Sequence, residues 1–336
     1  MTKHSVPEPV PSGTLGGAVT PADTATILAC RDYELRRISL DIPLTGFRDF
    51  ITPWLISERG GRSILVDPGP ACGVAPLTEA LHATGLSRLD LVLLTHIHID
   101  HAGGTGLLLE SFPEAQVVAH PRGVPHLKDP TRLWASTVQA LGESVARAYG
   151  EIAPVHESRF VSEGTTLDGL EVVDTPGHSQ HHQSYIYVSP GADLAFAGEA
   201  AGVYLGGEYL RPATPHRFFY ETTTQSIETL KERLNDTRLM LYGHYGFTDA
   251  PNKMLGASLD QLRLWRDVCQ DILGENPSLE TEDLVRHAMA RLRERDPRLA
   301  GLTDFPSDIV QRELYFLLNS ARGFVMAEEA SGLGRN

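Results

Sequence analysis

The sequence predicts a β-rich α/β core followed by a helical C-terminal segment. Short apolar runs punctuated by Gly and Pro fill residues 30 to 250, apolar residues at helical spacing follow from about 255, and titratable residues crowd behind one of the runs. The strand candidates are "SILVD" (63–67), "LDLVLLT" (89–95), "AQVVAH" (115–120), "LEVVDT" (170–175), "QSYIYVS" (183–189), "DLAFAG" (193–198) and "RLMLYG" (238–243). Each is short, β-branched or aromatic, and bounded by turn residues. Helices are expected at 75–85, closed by a C-terminal Gly, and at 130–149. Three more, at 256–274, 281–296 and 306–325, carry amphipathic spacing and cap residues. Residues 1–25 are rich in Pro, Gly, Ser and Thr and read as a flexible arm. The expected organisation is an arm (1–25), a core domain (26–252) and a helical extension (253–330).

Composition narrows the function. The chain has 336 residues, 41% of them apolar and 21% charged, with a net charge of −14. An acidic chain repels phosphate backbones, so no nucleic-acid partner is expected. Its three cysteines, Cys30, Cys72 and Cys269, form no CxxC pair, which fits a reducing compartment. No apolar run is long enough for a membrane span, and the first residues lack an apolar leader segment. A cytoplasmic protein acting on a small molecule is the expectation.

The run "LLTHIHIDHAGG" (93–104) places His96, His98, Asp100 and His101 on a strand-to-helix loop. Imidazole nitrogens and carboxylate oxygens are the usual ligands of zinc and other first-row divalent ions. His96 and His98, two apart on an extended segment, project to one side and can grip one ion. Asp100 and His101 can turn toward a second position. The glycines that follow let the backbone turn and a substrate approach.

His-x-His-x-Asp-His after an apolar strand resembles the signature of the metallo-β-lactamase superfamily. Four further motifs match that family in order: "ILVDPG" (64–69), "DTPGHSQHH" (174–182), "FAGEAAG" (196–202) and "LYGHYG" (241–246). The resemblance covers roughly residues 30 to 250 and implies a four-layer αββα sandwich. It also implies a site with two divalent metal ions, zinc by default and iron or manganese as alternatives. His96, His98 and His178 would hold the first ion, Asp100, His101 and His244 the second, and Glu199 would bridge them. A hydroxide between the ions would be the nucleophile, and Asp100 would orient that water or carry its proton. Asp67 would orient a metal-bound histidine from behind.

Glu199 departs from the family, which has aspartate there, and this puts the metal count in question. His181 stands where the family often has Gly. His181 and His182 are expected to hydrogen-bond locally, with Ser184 supporting the same loop, and His120 and His126 to be structural. The aromatic segment 202–223 offers Tyr204, Tyr209, Arg211, His216, Phe218 and Phe219 as pocket walls, and Tyr245 follows His244. Arg211 could pair with a substrate carboxylate or phosphate, and Tyr245 could contact a substrate oxygen. The C-terminal helices could cover the pocket or join two copies into a homo-oligomer.

Hydrolysis of a carboxylic ester, thioester or lactone is the expected reaction. The alternative is an iron-dependent redox enzyme on the same fold, a di-iron or mono-iron oxygenase or a sulfur dioxygenase. A non-enzymatic binding module would show lost ligands, whereas six of the seven expected ligands stand unchanged.

Overall fold

The computed structural model describes residues 23–190, 192–215, 218–234 and 237–331. The first half of the chain builds β1 (Thr24–Ala29), β2 (Tyr33–Ile38), β3 (Trp54–Glu58), β4 (Ser63–Val66), α1 (Val74–Ala83), β5 (Leu91–Leu93), α2 (Ile99–Ala102), α3 (Thr105–Ser111), β6 (Gln116–Val118), α4 (Val124–Lys128), α5 (Thr131–Leu141) and α6 (Glu143–Tyr149). Its six strands pair in sequence order, antiparallel up to β4 and parallel from β4 to β6.

The second half builds β7 (Leu170–Asp174), β8 (Gln183–Tyr187), β9 (Asp193–Gly198), β10 (Val203–Gly206), β11 (Tyr209–Arg211), α7 (Tyr220–Arg233), β12 (Thr237–Tyr242), β13 (Phe247–Thr248), α8 (Pro251–Glu275), α9 (Thr281–Arg295) and α10 (Ser307–Ala330). Five of its strands form a second sheet in the order β13-β12-β9-β8-β7, and β10 and β11 form a separate hairpin.

Side-chain alternation along the strands dictates the four layers. In β3 and β4, Trp54, Ile56, Ile64 and Val66 face the second sheet, while Leu55 and Leu65 face α1, α3 and α6. In β8, β9 and β12, Tyr185, Phe196 and Leu241 close the inter-sheet core from the other side. Their alternates Ile186, Ala195 and Met240 meet α7 to α10. The result is an αββα sandwich. Trp265, Leu284, Leu292, Leu317 and Phe324 of the last three helices are buried in the same cluster as the outer face of the second sheet.

All seven strand candidates are strands, five of them with trimmed ends, 193–198 over its whole length and 238–243 shifted one residue toward the N-terminus. The 130–149 helix is two helices, because Gly142 takes a φ of 83° and breaks the ladder. Among the described residues six strands escaped the sequence reading: β1, β2, β3, β10, β11 and β13. In β2, "YELRRI" interrupts its apolar alternation with Arg36 and Arg37, which stay half-buried at their stems. Residues 1–22 of the expected arm lie outside the described residues, and β1 takes up its last two positions. Among the described residues no helix is long and apolar enough to cross a membrane.

Candidate metal centre

The site forms where strand ends from both sheets meet. Main-chain direction is set by β5, which delivers His96 and His98 just beyond its C-terminal end, while α2 carries Asp100 and His101. The loops after β7, β9 and β12 deliver His178, Glu199 and His244. Among the described residues, two groups of donor atoms lie close enough to hold a metal ion: His96, His98, His178 and Glu199, and Asp100, His101 and His244, each with its atoms within 4.8 Å of one another.

The second nitrogen of each histidine tells which atom faces the centre. His178 Nδ1 donates to the Ala213 carbonyl (2.8 Å) and His244 Nδ1 donates to the Phe50 carbonyl (3.0 Å). A carbonyl can only accept, so the proton sits on Nδ1 and the Nε2 lone pair points inward. His101 Nδ1 donates to Asp67 Oδ2 at 3.0 Å, with the same consequence. Thr95 Oγ1 spends its proton on Asp67 Oδ2 (2.6 Å) and accepts from His96 Nδ1 (3.1 Å). Asp67 also accepts from the Thr95 amide at 2.8 Å, which locks the chain of bonds to the end of β5. His98 instead turns Nδ1 inward, 3.0 Å from His96 Nε2 and 2.9 Å from His178 Nε2. Lone pairs facing one another at such distances repel, and a cation among them turns repulsion into coordination. The donor set therefore fits a metal.

Glu199 lies between the two groups. Its Oε2 is 2.9 Å from His178 Nε2, 3.4 Å from His96 Nε2 and 3.5 Å from His101 Nε2, while Oε1 is 3.5 Å from His244 Nε2. The extra methylene of glutamate does not carry the carboxylate past the site. Asp100 Oδ2 stands 3.8 Å from both His101 Nε2 and His244 Nε2. Burial disfavours the Glu199 charge, but His178, His244 and His101 outweigh it and hold the carboxyl well below its usual range. Burial, reinforced by neighbouring imidazoles, holds His96 and His98 well below the ordinary histidine value. Carboxylates act the other way on two rings: against burial, Asp100, Asp67 and Glu199 hold His101 well above that value and Glu199 raises His178. A cation bound among them would displace those protons, because neutral imidazole and ionised carboxylate are the states that ligate a metal.

His182 is not aimed at the centre. Its Nε2 accepts from the Glu199 amide (3.1 Å), and its Nδ1 bonds Thr175 Oγ1 (2.8 Å), itself 3.0 Å from Ser184 Oγ. It fixes the backbone that carries Glu199. His181 bonds locally, with Nδ1 3.0 Å from Ser179 Oγ. Gly198, at φ 55°, leaves room for this arrangement: a Cβ there would lie 2.7 Å from His182 Nε2 and 2.8 Å from Thr95 Cβ. Gly198→Ala is therefore expected to displace both His182 and Glu199, and metal analysis of the purified variant should read less bound metal than the native chain.

A cavity of about 340 Å³ opens over the two groups. His98, Asp100, His178, Glu199 and His244 form its floor, and α5 and α10 form its walls. Several of the expected pocket residues stand elsewhere. Tyr204 packs on Tyr242 and donates to the Gly207 carbonyl (3.1 Å), away from the cavity, because the β10–β11 hairpin turns it outward. Tyr245 is exposed and lies under the Arg37 guanidinium, 5.0 Å from the ring centre, because a φ of 61° swings it off the course of His244. Tyr209 is buried and donates to Glu313 Oε2 (2.9 Å), Phe218 packs on Phe324, and Phe219 is exposed. His216 lies outside the described residues. Arg211 does line the cavity, but its charge is taken: Nε donates to Glu313 Oε2 at 2.7 Å, and the guanidinium covers the Phe316 ring.

Residues that the sequence reading missed include Phe50, Tyr149, Leu133, Ala140, Phe316 and Asn319 of the walls, and Thr95 and Thr175 behind the histidines. Thr95, next to His96 in "LLTHIH", had a local signal. The wall residues had none, since their roles depend on how α5 and α10 dock.

The metallo-beta-lactamase superfamily model matches residues 46–244, more than half of the chain. A probable metallo-hydrolase of Methanocaldococcus jannaschii is 33% identical over 128 residues, which are 38% of this chain and 59% of that protein. A hydroxyacylglutathione hydrolase of Xylella fastidiosa is 36% identical over 146 residues, 44% of this chain and 43% of the relative. The chain thus spans about half the length of these curated relatives. A metallo-beta-lactamase family protein of Thermus thermophilus shares the fold across 89% of this chain and 94% of its own, with a TM-score of 0.59 at 18% identity. With the motif order, the sandwich and the matched span in agreement, the chain belongs to the metallo-beta-lactamase superfamily.

Proposed function

We propose that the protein is a metal-dependent hydrolase of carboxylic esters, thioesters or lactones, built around two divalent ions, zinc by default. The observation that carries this reading is Glu199. Its two oxygens reach histidines of both donor groups, so one carboxylate could serve two metal positions. His96, His98 and His178 would hold one ion, Asp100, His101 and His244 the other, with Glu199 shared. Bound there, the ions would supply Lewis acidity and lower the pKa of water toward neutrality. A hydroxyacylglutathione hydrolase cleaves a thioester, and the likeness to such enzymes supports the acyl class.

The chain's own contribution is positioning and proton handling. Asp67 and the Phe50 and Ala213 carbonyls fix the imidazole rings before substrate arrives. Asp100 is the acidic floor residue with the more exposed carboxylate, 20% accessible against 7% for Glu199. It is placed to hold the water proton. In the reaction, water oxygen bonds to the acyl carbon, the C–S or C–O bond breaks, and the proton passes to the leaving thiol or alcohol.

Metal content of protein purified without chelator or added metal, followed by ester, thioester and lactone assays, tests the reading. Two zinc ions per chain and acyl hydrolysis are expected. Iron with oxygen uptake and no hydrolysis would overturn it. Asp100→Asn is expected to lower kcat/KM roughly a hundredfold by removing the proton acceptor. An unchanged rate would remove Asp100 from that role.

A further inference from the structure

We infer that the cavity between α5 and α10 is a sleeve for an uncharged, apolar acyl group, so that the preferred substrate is an ester or thioester of an aliphatic acid on a neutral carrier. This rests on the acyl-hydrolase reading and narrows it. Above the metal floor the wall is made by Phe50, Ile99, Leu133, Ala140, Leu141 and Phe316.

Four of the polar side chains among them already hold partners within the protein. Thr137 Oγ1 donates to the Leu133 carbonyl (2.9 Å), Thr214 Oγ1 to the Ser320 carbonyl (3.1 Å), and Ser320 Oγ to the Pro212 carbonyl (2.9 Å). Asn319 Oδ1 accepts from Arg322 at 2.9 Å. Among the described lining residues Arg211 has the one permanent positive charge, and it is buried, with Nε on Glu313 at 2.7 Å and its guanidinium over the Phe316 ring. A glutathione conjugate brings carboxylates that need cationic partners, and the buried Arg211 guanidinium, covered by Phe316, is not open to them. An aliphatic chain needs only apolar surface, which α5 and α10 supply.

The test is a series of acetyl, butyryl, hexanoyl and octanoyl thioesters of N-acetylcysteamine, with S-lactoylglutathione as the charged comparison. Each buried methylene is worth about a fourfold gain in kcat/KM. The series is expected to climb at about that rate until the sleeve is filled, and S-lactoylglutathione is expected to fall below the hexanoyl thioester. A flat or falling series, or faster turnover of S-lactoylglutathione, overturns the inference and leaves the hydrolase reading standing.

Ala140 is exposed on α5 at the cavity wall, so Ala140→Trp adds bulk without touching the core. It should lower the ratio of octanoyl to acetyl kcat/KM at least about tenfold, and an unaltered ratio counts against the sleeve. Calorimetric binding of acetate, hexanoate and octanoate separates the two ideas. Affinity that rises with chain length in a protein that hydrolyses no thioester supports the sleeve and sinks the hydrolase. Affinity independent of length sinks the sleeve.

Discussion

Glu199→Ala is expected to lose metal from both positions and to bring hydrolysis down to the background rate. The reason is geometric. Glu199 is the one carboxylate whose two oxygens contact histidines of both groups, with His178, His96 and His101 around Oε2 and His244 beside Oε1. Removing it leaves five inward-facing imidazoles and Asp100 to neutralise two divalent ions. Metal content by elemental analysis and thioester hydrolysis at saturating added zinc should fall together. Full metal content in the variant would show that the carboxylate bridges nothing.

Glu199→Asp is the sharper comparison, because it restores the family's usual residue on a backbone arranged for the longer one. The Glu199 amide is pinned by His182 Nε2 at 3.1 Å, so the main chain is not free to advance by a methylene. The shorter side chain is therefore expected to serve one donor group better than the other, leaving a variant with one tight and one weak metal. If aspartate restores two tight metals and full rate, His182 does not set the position of the backbone in the way described.

The convergence of the candidate ligands was legible where its signal is local. Four donors within six residues, from His96 to His101, need only an extended segment and a turn to converge, and the backbone supplies both. His178 and His244 were legible through the order of motifs and not through their surroundings. The pocket was much less so. Tyr204 and Tyr245 flank the site in sequence, yet one hairpin and one left-handed residue send their rings elsewhere. Side-chain direction at such positions is decided by tertiary packing, which no periodicity encodes. Strand β2 was missed for a related reason: Arg36 and Arg37 break its apolar alternation, and only the folded sheet leaves both side chains partly buried. In the same way, nothing near Arg211 in the sequence announces that Glu313, about a hundred residues later, will receive its guanidinium.

That pairing supports the second large effect, on stability. Glu313 is fully buried and receives Arg211 Nε on one oxygen (2.7 Å) and Arg312 Nε on the other (2.8 Å), with the Tyr209 hydroxyl donating at 2.9 Å. Desolvation opposes its charge, but Arg211 and Arg312 outweigh that and hold the carboxyl below its usual range. One carboxylate thus satisfies two guanidiniums between β11 and α10, and Arg312 continues to the Gly46 carbonyl at 2.7 Å. Glu313→Leu strands both cations in the interior, and breaking a buried pair from one side costs about 3–5 kcal/mol. A thermal melt of the variant beside the native chain is expected to show that loss. Glu313→Gln keeps a hydrogen-bond acceptor while removing the charge, so it should fall between the two. It should also leave Arg211 uncompensated at the cavity wall, and turnover of S-lactoylglutathione relative to a neutral thioester should then rise. Equal stability of Glu313→Leu and the native chain would mean that α10 is held by its apolar face alone, through Leu317, Ala321 and Phe324.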